Sequence, residues 1–279
     1  MSQISRWLMG LMLVPWAVGR GDEGWLETAD KVRVYYRVAG AGEAVVLIHG
    51  WMADHRMWDP RLAGEHSVWK LLTPRYRVVA LDCRGHGRSD KPHTDDAYGS
   101  QMADDVVRLL DHLGIEQANM VGYSMGSLIA GKVVAEHASR VRRVIFGGGA
   151  PLCTDQTEAY TRRQAFVEKR ERDSRLNGLS QLFFGKQDIE ALAAVHRGFV
   201  KLQVDHVRLR QFQRPVLFLL GEQEWEGIRR AVEDAQRLWG HGEVVTLRRG
   251  NHFTTPVQPG FAQAILHFLQ RSLEEPDQR

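Results

Sequence analysis

The chain has 279 residues, 43% of them hydrophobic and 25% charged, with a formal net charge of +3. That length fits one large domain, or one domain carrying an insertion. The charge is too small and too evenly interspersed to point to nucleic acid or an anionic membrane surface as a partner.

The N-terminus differs from the rest. Arg6 precedes an uncharged run from Trp7 to Val18, followed by Gly19 and Arg20. A positive start, a short apolar core and a small-x-small end (Ala17-Val18-Gly19) describe a secretory signal peptide over residues 1–19. The run is short for a membrane span, and Pro15 sits inside it. Export to the periplasm or medium is the expectation. An uncleaved membrane anchor, or a buried first helix of a cytoplasmic protein, is the alternative.

Residues 32–38 alternate in the manner of a half-exposed strand. Residues 44–48 are continuously apolar, as in a strand buried on both faces, and end at His49-Gly50-Trp51. Another apolar run, 76–81, ends at Asp82-Cys83-Arg84-Gly85-His86-Gly87. Residues 101–113 carry a helical period (Met102, Val106, Leu109, Leu110, Leu113) closed by Gly114. The apolar segment Asn119-Met120-Val121 leads into Gly122-Tyr123-Ser124-Met125-Gly126, and a small-residue helix leads out. A further strand starts at Arg143 and ends at Gly147-Gly148-Gly149.

From residue 155 to 213 the texture changes. Charges become dense and helical periods dominate, which reads as a helical cap inserted above the sheet. Residues 215–220 resume the buried-strand pattern and end at Gly221-Glu222-Gln223-Glu224. A helix over 228–239, a strand over 243–247 and a last helix bearing Phe261, Ile265, Phe268 and Leu269 follow. The alternation predicts an α/β fold with a largely parallel sheet covered on both faces. The core is 20–154 and 214–279, interrupted by the cap at 155–213. The two cysteines, Cys83 and Cys153, follow strands that should not be neighbours, so both are expected as free thiols.

Gly122–Gly126 has the Gly-x-Ser-x-Gly spacing of a nucleophile elbow. The strand-to-helix turn is so tight that the serine is strained and its Oγ exposed. Serine needs a base, the base needs an orienting group, and the oxyanion needs preorganised N–H donors. His252 is the base candidate, because it follows a strand and the turn Arg249-Gly250-Asn251. Glu224 is the candidate orienting carboxylate, with Glu222, Glu226 and Asp155 as competitors. The backbone amides of Trp51 and Met125 are the candidate oxyanion donors. Gly50, which leaves room for the backbone to approach a substrate, and Tyr123, beside the nucleophile, are the candidate substrate contacts. Arg84–Ser89 lacks the spacing of a phosphate loop and reads as a structural turn. No Cys-x-x-Cys and no metal-ligating histidine pair occur, so neither a metal nor a cofactor is expected.

These residues resemble the α/β-hydrolase fold family, in its cap-bearing bacterial serine hydrolase branch. The resemblance rests on Val-Val-Leu-Ile-His-Gly (45–50), Leu-Asp-Cys-Arg-Gly-His-Gly-Arg-Ser-Asp (81–90), Val-Gly-Tyr-Ser-Met-Gly-Ser (121–127) and Gly-Asn-His-Phe (250–253). It implies eight strands, mostly parallel, with a helical cap after the sixth. It also implies Ser124 as nucleophile, His252 as base, and Trp51 and Met125 as oxyanion donors. Two departures stand out: Glu224 where relatives commonly have Asp, and Asn251 where a small residue is frequent. The expected activity is carboxylic ester hydrolysis on a small molecule. C–C bond hydrolysis or cofactor-free perhydrolysis on the same groups is one alternative. A ligand receptor on a hydrolase scaffold is another.

Overall fold

The computed structural model describes residues 22–152 and 187–271. The leader at 1–19, Cys153, Asp155 and the first part of the expected cap lie outside the described residues.

Eight strands form one sheet: β1 (Asp22–Glu27), β2 (Arg33–Ala39), β3 (Ala44–Ile48), β4 (Arg77–Leu81), β5 (Ala118–Tyr123), β6 (Val141–Gly147), β7 (Val216–Gly221) and β8 (Glu243–Leu247). Their spatial order is β1-β2-β4-β3-β5-β6-β7-β8. The first two strands pair antiparallel, and every pairing from β4 to β8 is parallel. The described helices are α1 (Val68–Leu72), α2 (Ser100–His112), α3 (Met125–Glu136), α4 (Ile189–Gly198), α5 (His206–Arg210), α6 (Glu226–Trp239) and α7 (Pro259–Gln270).

Side chains alternate across a strand, and both faces of this sheet are apolar. From β3, Val46 and Ile48 pack with Met102 and Val106 of α2, Ile129 and Val133 of α3, and Trp239 of α6. Val45 and Leu47 point the other way, to Val68 and Leu72 of α1 and Phe261, Ile265 and Phe268 of α7. Being buried on both sides, β3 and β7 read as unbroken apolar runs rather than alternating ones. The cysteine expectation rested on strand order, and β4 and β6 are indeed separated by β3 and β5. Cys83 is buried and free, and burial pushes its thiol pKa well up.

Strand β1 and the five-residue α1 were not anticipated. Strand β1 is an edge strand whose side chains are mostly exposed, with Leu26 its one buried residue. An edge strand has little core to face and so carries little apolar pattern.

Helices α4 and α5 belong to the stretch expected to form the cap. Val195 of α4 and Leu209 of α5 join the same apolar cluster as α2 and α3. Two glycines make the seam tight. Gly99, just before α2, has φ +85°, and a Cβ there would sit 2.4 Å from the Lys201 Cβ. A Cβ on Gly198, the last residue of α4, would sit 2.6 Å from the Tyr98 Cβ. No described helix is long and apolar enough to cross a membrane.

Candidate active site

The turn between β5 and α3 holds Ser124 at φ 53°, ψ −109°. A non-glycine residue at positive φ is strained and persists only where its surroundings enforce it. Here the enforcement is visible. The Ser124 N–H donates to the Gly147 carbonyl at 2.8 Å, and the Ser127 N–H to the Ser124 carbonyl at 2.9 Å. A Cβ on Gly122 would lie 2.2 Å from the Gly126 oxygen, and one on Gly126 would lie 1.9 Å from the Ile48 oxygen. Both glycines are therefore required by backbone atoms that cannot yield.

The Ser124 Oγ lies 3.0 Å from His252 Nε2, and His252 Nδ1 lies 3.0 Å from Glu224 Oε1. Glu224 is 2% exposed and His252 8%. The loops after β7 and β8 bring these two together. The Gln223 N–H donates to the Gly250 carbonyl at 2.7 Å, and a Cβ on Gly221 would sit 2.4 Å from the Gly250 carbonyl carbon. Only glycines allow so close a crossing. Of the competing carboxylates, the two described ones are engaged elsewhere. Glu222 is exposed and accepts from the Arg249 N–H at 2.8 Å, and Glu226 pairs with Arg230 on α6.

Three supporting residues were not marked by the sequence reading in these roles. The Asn251 Oδ1 accepts from the Phe253 and Thr254 amides, at 3.0 Å each, which builds the turn that presents His252. Asparagine is suited to such a turn because its side chain imitates a backbone acceptor. The Tyr123 hydroxyl donates to the His252 carbonyl at 2.6 Å. Tyr123 is 3% exposed, so its side chain is buried against His252 rather than open beside Ser124. Trp225 stacks on the His252 ring at 4.3 Å between centroids and 19° between planes.

Met125 is the first residue of α3, so its N–H has no acceptor within the helix. Trp51 follows β3 in a turn closed by Ala53 N–H to the Gly50 carbonyl at 3.1 Å, with Met52 at φ 65°. That bond leaves the Trp51 N–H outside the turn's own pairing. The Trp51 indole N–H donates to the Leu192 carbonyl of α4 at 3.1 Å. A Cβ on Gly50 would stand 3.5 Å from the Ser124 Cβ, in the space beside that serine.

Other polar groups near the strand ends are structural. Arg84 is fully buried and forms a two-bond pair with Asp105, at 2.6 and 2.8 Å, and a further bond to Asp30 at 2.7 Å. Gly87 has φ +49°, and a Cβ there would meet the Asp82 carboxylate at 2.3 Å. Among the described residues, Asp54, His55 and Asp82 are near enough to one another to share a cation. Their donors are already engaged. Asp82 accepts from the His55 and Arg88 amides and meets His55 Nδ1 at 2.8 Å, while Asp54 is held by Arg56.

Residues 43–159 match the family model described as the alpha/beta hydrolase fold. The chain is 28% identical over 172 residues to the AB hydrolase superfamily protein YisY of Bacillus subtilis (strain 168), covering 58% of this chain and 62% of that one. It is 31% identical over 229 residues to the dihydrolipoyllysine-residue acetyltransferase component of the acetoin cleaving system of Cupriavidus necator, covering 77% and 54%. The chain thus spans about half the length of the curated relatives it matches. Among solved structures it is similar to one described with the carboxylesterases of the thaumarchaeon Nitrososphaera gargenis. That match has a TM-score of 0.72 and 22% identity, and covers 88% of this chain and 97% of that one. Sheet order, elbow and the match over residues 43–159 agree: the chain has the α/β-hydrolase fold.

Proposed function

We propose that the protein is a serine hydrolase that cleaves carboxylic esters of small molecules through an acyl-enzyme. One observation carries the reading: the unbroken relay from Ser124 Oγ through His252 to Glu224, with 3.0 Å at each step. Both distances suit a nucleophile–base pair and a base–orienter pair before substrate arrives.

In this reading the Ser124 Oγ attacks the ester carbonyl as its proton passes to His252 Nε2. The carbonyl oxygen becomes an oxyanion and accepts from the Trp51 and Met125 N–H groups. The C–O bond to the alcohol then breaks, and the leaving oxygen takes the proton from His252. Water, deprotonated by the same imidazole, hydrolyses the acyl-enzyme and frees Ser124. Glu224 holds Nδ1 protonated, so that Nε2 is the acceptor, and offsets the imidazolium charge. Each oxyanion donor would contribute about 10²–10³ in rate. The leader-like segment at 1–19 supports export of this enzyme, which N-terminal sequencing of the mature protein would check.

The test is fluorophosphonate labelling together with hydrolysis of p-nitrophenyl esters of graded chain length. Wild type should label and turn over, and Ser124→Ala should not label and should lose at least about 10⁴-fold in kcat. Turnover only of a vinylogous diketone, or only of peroxide with acid, would transfer the same residues to C–C hydrolysis or perhydrolysis. Tight ligand binding without turnover would make the fold a receptor.

A further inference from the structure

We propose that Trp225 is the positioning residue of the base: its backbone holds the carboxylate and its indole holds the imidazole. This rests on the hydrolase reading above. The Trp225 N–H donates to Glu224 Oε1 at 2.9 Å. That is the same oxygen that faces His252 Nδ1 at 3.0 Å. The indole lies nearly parallel to the imidazole, 4.3 Å away. One residue therefore touches both partners of the pair.

The placement is anchored. Trp225 caps the start of α6, and its carbonyl accepts from the Ile228 and Arg229 amides at 2.9 and 3.1 Å. The two hydrogen bonds of His252 constrain its ring only at the nitrogen edges. Rotation about the line joining them is opposed by what lies against the faces. Among the described residues Trp225 is the one aromatic stacked parallel on it; Tyr123 is tilted by 42° at 5.5 Å, and Phe253 is perpendicular at 5.7 Å. Yet the indole is 47% exposed, so core burial does not explain a tryptophan at this position. An aromatic face also attracts a cation. In the proposed reaction the ring gains a positive charge on taking the Ser124 proton, so the stack favours that step.

The experiment compares Trp225→Leu and Trp225→Phe with wild type in steady-state ester hydrolysis, with thermal unfolding as a check on folding. Leucine keeps apolar cover but offers no π face, and phenylalanine restores one. The Leu variant should lose about 3- to 30-fold in kcat with KM little changed. The Phe variant should recover most of that loss, and both should unfold near the wild-type temperature. Equal losses in Leu and Phe, a change in KM alone, or no loss in either would overturn the assignment. If wild type labels with fluorophosphonate at Ser124 and the Leu variant labels just as fast, the positioning role fails while the hydrolase reading stands. If wild type does not label at all, the hydrolase reading itself has failed.

Discussion

The Tyr123 hydroxyl donates to the backbone carbonyl of His252, so the residue before Ser124 fastens the loop that carries His252. The 2.6 Å bond joins the end of β5 to the loop after β8, two strands that are not neighbours in the sheet. Burial drives the phenol pKa well up, with the Glu224 charge adding to the effect, so the hydroxyl stays a donor across the working range.

Tyr123→Phe should therefore cost stability and also rate. It leaves the His252 carbonyl without its phenol donor in a buried setting, at about 1–3 kcal/mol. Urea unfolding would measure the first effect, and kcat on a p-nitrophenyl ester the second. Unchanged values for both would show that the loop is held by Asn251 alone.

Replacing Glu224 separates charge from geometry. Its Oε1 accepts from Trp225 N–H and faces His252 Nδ1, while its Oε2 has no partner among the described residues. In Glu224→Gln the amide oxygen must take the Oε1 place, because an NH₂ there would face two donors. The tautomer of His252 is then kept and only the charge is lost. A charge-assisted bond exceeds a neutral one by about 1–2 kcal/mol, so kcat should fall about 5- to 30-fold. Glu224→Leu removes the acceptor as well and should fall about 10⁴-fold. Equal losses in the two variants would mean that charge, not orientation, is the whole contribution.

His93 ties the first described helix of the 155–213 block to the core through Asp188 Oδ2 at 3.0 Å and Glu190 Oε2 at 3.3 Å. The Asp188 bond first, then the charges of Asp188 and Glu190, raise the imidazole pKa above its ordinary 6.5. A raised folded value means that the contribution to stability is full below 6.5 and is lost as pH rises through the folded value. His93→Gln should therefore lower the unfolding temperature near pH 5.5 and leave it unchanged near pH 9. The measurement is thermal unfolding at both pH values. A loss of the same size at both would rule out the charge as its source.

Parts of this molecule were legible in the sequence because steric demands leave a mark on residue type. Gly122 and Gly126 must be glycine against the backbone of a neighbouring turn and strand, and their spacing locates Ser124. The continuous apolar runs of β3 and β7 announced strands buried on both faces. Glu224 was harder to separate from Glu222 and Glu226. All three lie within five residues, and their directions depend on how Gly221 crosses Gly250, a contact across 29 positions of chain. The roles of Tyr123 and Trp225 left no local trace. Each depends on a partner more than 20 residues away, and an aromatic residue in either place satisfies ordinary packing patterns.

The abutting pair Gly99 and Gly198 has a consequence for descent. Neither position tolerates a side chain without displacing the other segment, since each Cβ would strike the opposite chain within 2.6 Å. The loop before α2 and the end of α4 must therefore be inherited as a matched set. A recombination joint placed between them would push the two segments apart wherever the incoming half carries a side chain at its position. A joint near Gln187 falls between the two glycines and separates them, whereas one beyond Gly198 would leave the matched pair intact.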